Sequence, residues 1–517
     1  MFQKYKNNYI NNDEIQWLTL TKVHSIDRIG RVFTYKGNIF RAIHPGMESF
    51  VLSLFEKKII QKLISTRVLL DTKVTRMRLN NSRLILWHEK IEHVTKPAFW
   101  PWEFYKSAGI TFLKLNEQLL DWGLATCDGH QENIMMRQNC SPVFIDFGSL
   151  LPLNESRNGL TSLEQFKRCF FNIMMLRLKK PELETIIRMI CYQKGSLKDE
   201  EYLAMTGESI EIPFGNRSAC LRLFKAIVSK LEFANKHGTW SGYHKDKDFS
   251  ATDPNESDDT RAELINNLLK LYRPSTVIDI ASNAGKFAMM AAQHGAKVYA
   301  FDIDPEAIDR LYYRAIKAGP GISLSVGIHN IFRGDRYDFR RRPLNATGEV
   351  ALSLAISHHM FITQKMPMTF IAHILSAYSQ KILISEFMPY GLGSTKYQPH
   401  PLPKGYDMMN YINAFKGIFR RVKIIYYPTL SHWSFRVLLV FEDKLDDQNS
   451  IQDIEKIFVV CRTNKFATNG FILRIICNEC KHIFIVDKKE FIACPNCKCK
   501  TPYHEVENIF DLENNKL

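Results

Sequence analysis

Apolar residues in the stretch 260–445 follow two alternating patterns. Short, nearly continuous apolar runs occur at 276–280, 297–301, 350–355 and 381–385, as expected of strands buried on both faces. At 260–271, 286–294 and 305–317, apolar residues recur every three to four positions, which predicts amphipathic helices. Pro305 stands at the first turn of the third helix, where its missing N–H costs nothing. Asp258 or Asp259 can cap the first. Strands alternating with helices predict an α/β domain on a Rossmann-like sheet.

The flanking regions pattern differently. Residues 1–235 mix α and β: a hairpin over 33–43 around Lys36-Gly37-Asn38, a helix over 50–64 and a strand over 142–145. Residues 236–259, rich in Ser, Asp, Gly and Lys, read as a linker or lid. Beyond the polar stretch 442–455, residues 456–517 form a short β-rich tail with a β segment at 483–486. The expected domains are therefore 1–235, 260–445 and 456–517, in keeping with a chain of 517 residues.

No run of about 18 apolar residues occurs, so no membrane span is predicted. The first residues are polar and lack the apolar core of a signal peptide, which points to the cytoplasm and reduced thiols. The net charge is +15, and residues 1–250 hold 36 Lys and Arg against 26 Asp and Glu. That excess suits anionic partners, or equally a solvated basic surface. No Lys/Arg block is interleaved with aromatics, so nucleic acid is not the favoured partner.

The chemistry concentrates at the predicted strand ends. Asp279 and the turn Ala281-Ser282-Asn283-Ala284-Gly285 follow the first strand, and Asp302 ends the second. Such a turn brings backbone N–H groups close to a ligand, and an acid roughly 20 residues on can accept hydrogen bonds from ribose hydroxyls. A dinucleotide diphosphate wants several glycines for close approach; here only Gly285 is present. S-adenosylmethionine has no phosphate and tolerates Ala and Asn, so it is the expected cofactor. His358 and His359 follow a later strand and are candidate bases for an acceptor hydroxyl; the alternative is that one of them orients the turn or packs.

The segments Asp279–Phe287, Phe301–Pro305, Leu352–His359 and Glu386-Phe387-Met388-Pro389 resemble class I S-adenosylmethionine-dependent methyltransferases. Within that class the chain is similar to bacterial relatives of nodulation methyltransferases, in which a kinase-like segment comes first. The resemblance implies that Asp279 and Ala281–Gly285, Asn283 included, hold the methionine part. It implies further that Asp302 holds the ribose and that Asn330 lies near the adenine. Ala281 replaces a usual glycine, and an acid common near the adenine is absent. An Asn-Pro-Pro-Tyr type of amine-methylating motif is missing, which favours oxygen or carbon acceptors on a small molecule or glycan.

Upstream, Asp128-Gly129-His130-Gln131-Glu132-Asn133 precedes Asp146-Phe147-Gly148. Kinase chemistry needs an aspartate near the acceptor hydroxyl and an Asn and an Asp that share Mg²⁺. Asp128, Asn133 and Asp146 have that order, and the spacing resembles the catalytic lobe of aminoglycoside-phosphotransferase-like kinases. Arg41, with Glu56 as its helix partner, aligns with the usual strand lysine, and no Gly-rich phosphate loop occurs. A pseudokinase and a divergent kinase using ATP and Mg²⁺ both fit. In the tail, Cys477-x-x-Cys480 and Cys494-x-x-Cys497 have the spacing of a zinc ribbon, with Cys499 spare. Three functions remain open: a small-molecule or glycan O-methyltransferase, a bifunctional kinase–methyltransferase of surface polysaccharide, and an RNA methyltransferase that uses the ribbon.

Overall fold

The structure is a computed structural model describing residues 9–18, 28–79, 84–233, 260–331, 346–392, 402–428, 435–445, 454–460, 472–476, 483–487 and 504–505. The chain divides into two compact units, 1–236 and 237–517.

The N-terminal unit opens with a five-stranded antiparallel sheet. Its strands are β1 (Gln16–Trp17), β2 (Gly30–Tyr35), β3 (Asn38–Ile43), β4 (Thr72–Val74) and β5 (Ile85–His88), in the order β1-β2-β3-β5-β4. The expected hairpin is present: Tyr35 pairs with Asn38 across a two-residue turn in which Lys36 and Gly37 both have positive φ, the geometry that suits a tight hairpin. The single helix expected over 50–64 is two, α1 (Glu48–Glu56) and α2 (Ile59–Ser65). Lys58 takes a left-handed conformation (φ 57°) between them, and that breaks the helical ladder.

A helical part follows. It comprises α3 (Trp102–Leu120), α4 (Leu160–Phe166), α5 (Asn172–Lys179), α6 (Glu184–Gln193), α7 (Asp199–Thr206) and α8 (Arg217–Ser229). Two short ladders lie within this part of the chain. β6 (Leu124–Thr126) pairs with β9 (Leu150–Pro152), and β7 (Ile134–Met136) pairs with β8 (Pro142–Phe144). Its core is aromatic: Phe112 stacks on Phe166, Phe166 on Phe170, and Phe224 meets Phe166 edge-on.

The C-terminal unit is built on an eight-stranded sheet in the order β12-β11-β10-β13-β14-β16-β15-β17. The strands are β10 (Thr276–Ile280), β11 (Lys297–Asp302), β12 (Ser323–Ile328), β13 (Gly348–Ser353), β14 (Ser379–Phe387), β15 (Phe419–Pro428), β16 (Phe435–Lys444) and β17 (Glu455–Val460). The first five in that order run parallel, and β16 is antiparallel to β14 and β15. The helices are α9 (Thr260–Tyr272), α10 (Lys286–Gln293), α11 (Pro305–Ala318), α12 (Met368–Ala377) and α13 (Met408–Asn413).

Both faces of the central strands are buried, which explains their unbroken apolar runs. Ile278, Ile280, Tyr299, Phe301, Ala351 and Leu383 join a core with α12 and α13, while Val277, Val298, Ala300 and Val350 are buried as well. This is the Rossmann-like α/β fold that the pattern predicts, extended by an antiparallel pair. The expected α9 cap, Asp258 or Asp259, and the linker 236–259 lie outside the described residues.

The tail expected to begin at residue 456 starts inside this sheet instead. β17 pairs in parallel with β15, because an apolar strand gains more by completing an existing sheet than by starting a small one. A separate three-stranded sheet follows, in the order β19-β18-β20, from β18 (Ile472–Ile476), β19 (Ile483–Asp487) and β20 (His504–Glu505).

Candidate active site at the carboxyl edge of the C-terminal sheet

From β10 the chain winds through β11 to β12 on one side, then returns to β13 and β14 on the other. The crevice between the carboxyl ends of β10 and β13 is therefore the switch point, where doubly wound sheets hold ligands. The predicted residues collect at this edge: the 281–285 turn follows β10, Asp302 ends β11, Asn330 follows β12, and His358 and His359 follow β13.

The turn is unusually tight. Ala281 (φ 55°), Asn283 (φ 49°) and Gly285 (φ 76°) are all left-handed before α10 begins at Lys286. Asn accepts that conformation readily; Ala281 pays about 1–2 kcal/mol for it. The cost is offset by a dense set of hydrogen bonds. Asp302 Oδ2 accepts from the Asn283 N–H (2.8 Å), and its Oδ1 accepts from the Asp304 N–H (2.9 Å). Asn283 Oδ1 accepts from the Ala284 N–H (2.7 Å), Arg314 of α11 donates to the Ala284 carbonyl (2.8 Å), and the Ser282 N–H bonds to the Phe301 carbonyl (3.0 Å). Asp304 in turn caps α11 through the N–H of Glu306 (3.0 Å). Asp302 is thus a fastener of the turn; each carboxylate oxygen still has a lone pair for a ligand hydroxyl.

Asp279 is only 2 % exposed, and its Oδ2 has no hydrogen-bond partner among the described residues. Burial pushes its pKa up to about 8, against the opposing pull of the Ala288 N–H. At neutral pH burial therefore keeps this carboxyl protonated, and a cation beside it would draw the proton off. Burial also raises Asp302, opposed by the two N–H groups it accepts.

Asn330, half-buried, follows His329. The His329 N–H donates to the Asp302 carbonyl (2.8 Å) and its ring meets Phe301 edge-on; burial lowers its pKa to about 4.

His358 and His359 differ. His358 is buried, its Nδ1 has no partner among the described residues, and burial followed by the adjacent His359 lowers its pKa to about 3. Their rings lie 4.1 Å apart. His359 is half-buried and lowered less, by burial alone. A general base works best with a pKa near the operating pH, so His359 is the better candidate base and His358 the better orienting group.

Beside them lies a cluster that the sequence does not announce. Glu386, fully buried at the end of β14, is bound by Arg261 of α9 (3.4 Å), Arg436 of β16 (3.3 Å) and the Tyr427 hydroxyl of β15. Its backbone carbonyl accepts from Ser357, next to His358 (2.9 Å). Two guanidiniums hold the Glu386 carboxyl below its ordinary range against the cost of burial. Arg261 also stands 5.2 Å from the ring centroid of Phe287, two residues past Gly285. These partners lie 125, 50 and 41 residues from Glu386, and no local pattern joins them.

In the N-terminal unit the kinase-like residues gather around β7 and β8. The Ile145 N–H donates to the Asn133 carbonyl (2.9 Å), placing Asn133 beside Asp146. Asp128 Oδ1 accepts from the His130 N–H (3.1 Å); burial, and to a lesser degree the charge of Asp128, raises the Asp146 carboxyl against the pull of Arg41. The expected Arg41–Glu56 pair is absent. Glu56 is exposed at the end of α1, and Arg41 pairs instead with Asp146 (3.5 Å). Cys477, Cys480, Cys494 and Cys497, with Cys499, lie outside the described residues.

No protein-family model matches the chain. It is 22% identical over 405 residues to nodulation protein NoeA of Rhizobium meliloti (strain 1021), covering 70% of this chain and 83% of that protein. Two solved structures are similar at low identity. Magnesium protoporphyrin IX methyltransferase from Synechocystis PCC 6803 is 15% identical at a TM-score of 0.27, covering 36% of this chain and 83% of that one. The bifunctional kinase–methyltransferase WbdD is 18% identical at a TM-score of 0.27, covering 44% of this chain and 48% of that one, about half its length.

Two outcomes follow from the site's geometry. Gly285→Ala forces a Cβ to within 2.1 Å of Leu311 Cδ1 in a left-handed conformation, and denaturant titration should show a loss of about 1–3 kcal/mol. Asp279→Asn should do the opposite. Above pH 4 the unfolded carboxyl is ionised while the folded one keeps its proton, so this group withdraws stability as pH rises towards 8. At pH 7.5 the variant should melt several degrees above the parent, with the gap closing towards pH 5; an equal gap at both pH values would refute the assignment.

Proposed function

We propose that the C-terminal unit is an S-adenosylmethionine-dependent methyltransferase acting on a hydroxyl-bearing small molecule or glycan. The observation that carries this reading is the left-handed turn fastened by Asp302 at the switch point, combined with the buried, unpartnered Oδ2 of Asp279. A turn with one glycine suits a ligand without a diphosphate, and a carboxyl held protonated by burial suits a cationic one. The fold and the resemblance of these motifs to class I methyltransferases point the same way.

When bound, the cofactor supplies a methyl group on a sulfonium, which leaves as a neutral thioether. The chain's own part is to hold and align. Asp279 and the 281–285 turn hold the methionine part, Asp302 receives the ribose hydroxyls, and Asn330 borders the base. His359 takes the proton from the acceptor hydroxyl, and His358 fixes the neighbouring backbone and ring. Alignment in a crevice is worth much of such a displacement, because the reaction itself needs little more than an in-line approach.

A further element of the reading is a structural zinc at Cys477, Cys480, Cys494 and Cys497. The pairing of Ile476 with Ile483 brings the two ends of the 477–482 connection together, which suits a ligand knuckle. The kinase-like segment carries no activity in this reading.

Calorimetry tests the cofactor site directly. S-adenosylmethionine should bind the whole protein, and its affinity should rise as pH rises from 6 and level off above about 8, as Asp279 loses its proton. Asp279→Asn should abolish that dependence and weaken binding at least tenfold. No heat of association at any pH would sink the proposal. Metal analysis of purified protein should find about one zinc per chain, lost in Cys494→Ser/Cys497→Ser; equal zinc in both proteins would refute the ribbon.

A further inference from the structure

The fold places Asp128, Asn133 and Asp146 together in the N-terminal unit, as a kinase would for Mg²⁺, and then sets a different cation among them. Arg41 lies on β3, opposite Val32 of β2 and Leu86 of β5, and is only 4 % exposed. Its Nη2 stands 3.5 Å from Asp146 Oδ1, which also accepts the Gly148 N–H (3.1 Å). The guanidinium reaches beyond that pair: burial and the charge of Arg41 lower the neighbouring His88 to a pKa of about 3, so this ring stays neutral. Among the described residues no three His, Cys, Asp or Glu side chains form a group that could hold a metal ion.

The residues present do not fit Mg²⁺. That ion demands near-octahedral oxygen ligands at close range and gives up its water reluctantly. To bind at Asp146 it would have to approach a carboxylate already engaged by a guanidinium. A lysine in that position could swing aside or lose its proton. An arginine cannot be deprotonated in a protein, and its flat fork is buried in the sheet, so the repulsion would have to be borne in a medium of low dielectric. The supporting parts are missing too. Glu56, which would draw such a cation towards the helix, is exposed, and the 18–29 segment between β1 and β2 contains no glycine to let backbone N–H groups approach a phosphate.

We infer that Arg41 is the resident cation of this cleft and takes the place of a divalent metal at Asp146, so that the N-terminal unit holds no Mg²⁺ through Asp128, Asn133 and Asp146. The inference is independent of the methyltransferase reading and survives its failure.

The test uses the full-length protein and Mn²⁺ as the probe, with free ion counted by electron paramagnetic resonance. The parent protein and Asp146→Asn should bind Mn²⁺ identically. The same substitution strips a buried guanidinium of its carboxylate, so it should lower the thermal midpoint by the same amount with and without Mg²⁺. Arg41→Met, which keeps the bulk and removes the charge, should gain a Mn²⁺ site at least tenfold tighter than anything in the parent, and Arg41→Met/Asp146→Asn should lose it. A Mn²⁺ site in the parent that Asp146→Asn abolishes would overturn the inference, as would a folded Arg41→Met protein with no gain. Should Arg41→Met fail to fold, the comparison of parent with Asp146→Asn decides the matter alone.

Discussion

The carboxylate of Asp302 is the constraint on which the C-terminal site depends. It sits at the last residue of β11 and accepts the N–H of Asn283 from one loop and of Asp304 from the next. One side chain therefore sets the conformation of the 281–285 turn and the start of α11. Ala281 could not stay left-handed in isolation, but it does so where its neighbours leave the backbone no alternative. The strain of the turn is offset by hydrogen bonds a few ångströms away.

Buried charge is handled in two ways across the chain. Among the described residues Asp279 is paired with no cation, and it answers burial by keeping its proton. Glu386 answers by collecting Arg261, Arg436 and Tyr427, and so stays ionised. The second solution ties the ends of β14, β15 and β16 to α9 and, through Ser357, to the histidine turn. Such ion clusters contribute little net stability, because desolvation takes back most of what attraction supplies. Their effect is on geometry: removing one member strands the others in the interior. In the N-terminal unit Asp146 lies between the two: it pairs with Arg41, yet burial still raises its carboxyl above the ordinary range.

The chain's own pattern determined a good deal. The strands at β10, β11 and β14, the helices α9, α10 and α11 and the Lys36–Gly37 hairpin were legible, because continuous apolar runs, helical periodicity and turn residues are local properties. The gathering of Asp279, Asp302 and the histidines at one edge was legible for a related reason: in a wound α/β sheet, residues at strand ends share a side whatever their separation. What tertiary structure alone decided were the choices among partners. Arg41 could face Glu56 or Asp146, and only the folded chain sets it against Asp146. His358 and His359 are neighbours of one type, and only burial makes one of them the weaker base. The residues that hold Glu386 come from three elements, and β17 joined the central sheet instead of the tail. Each of these depends on which side chains meet across long stretches of chain, and on how much water is left between them. A sequence specifies both only by folding.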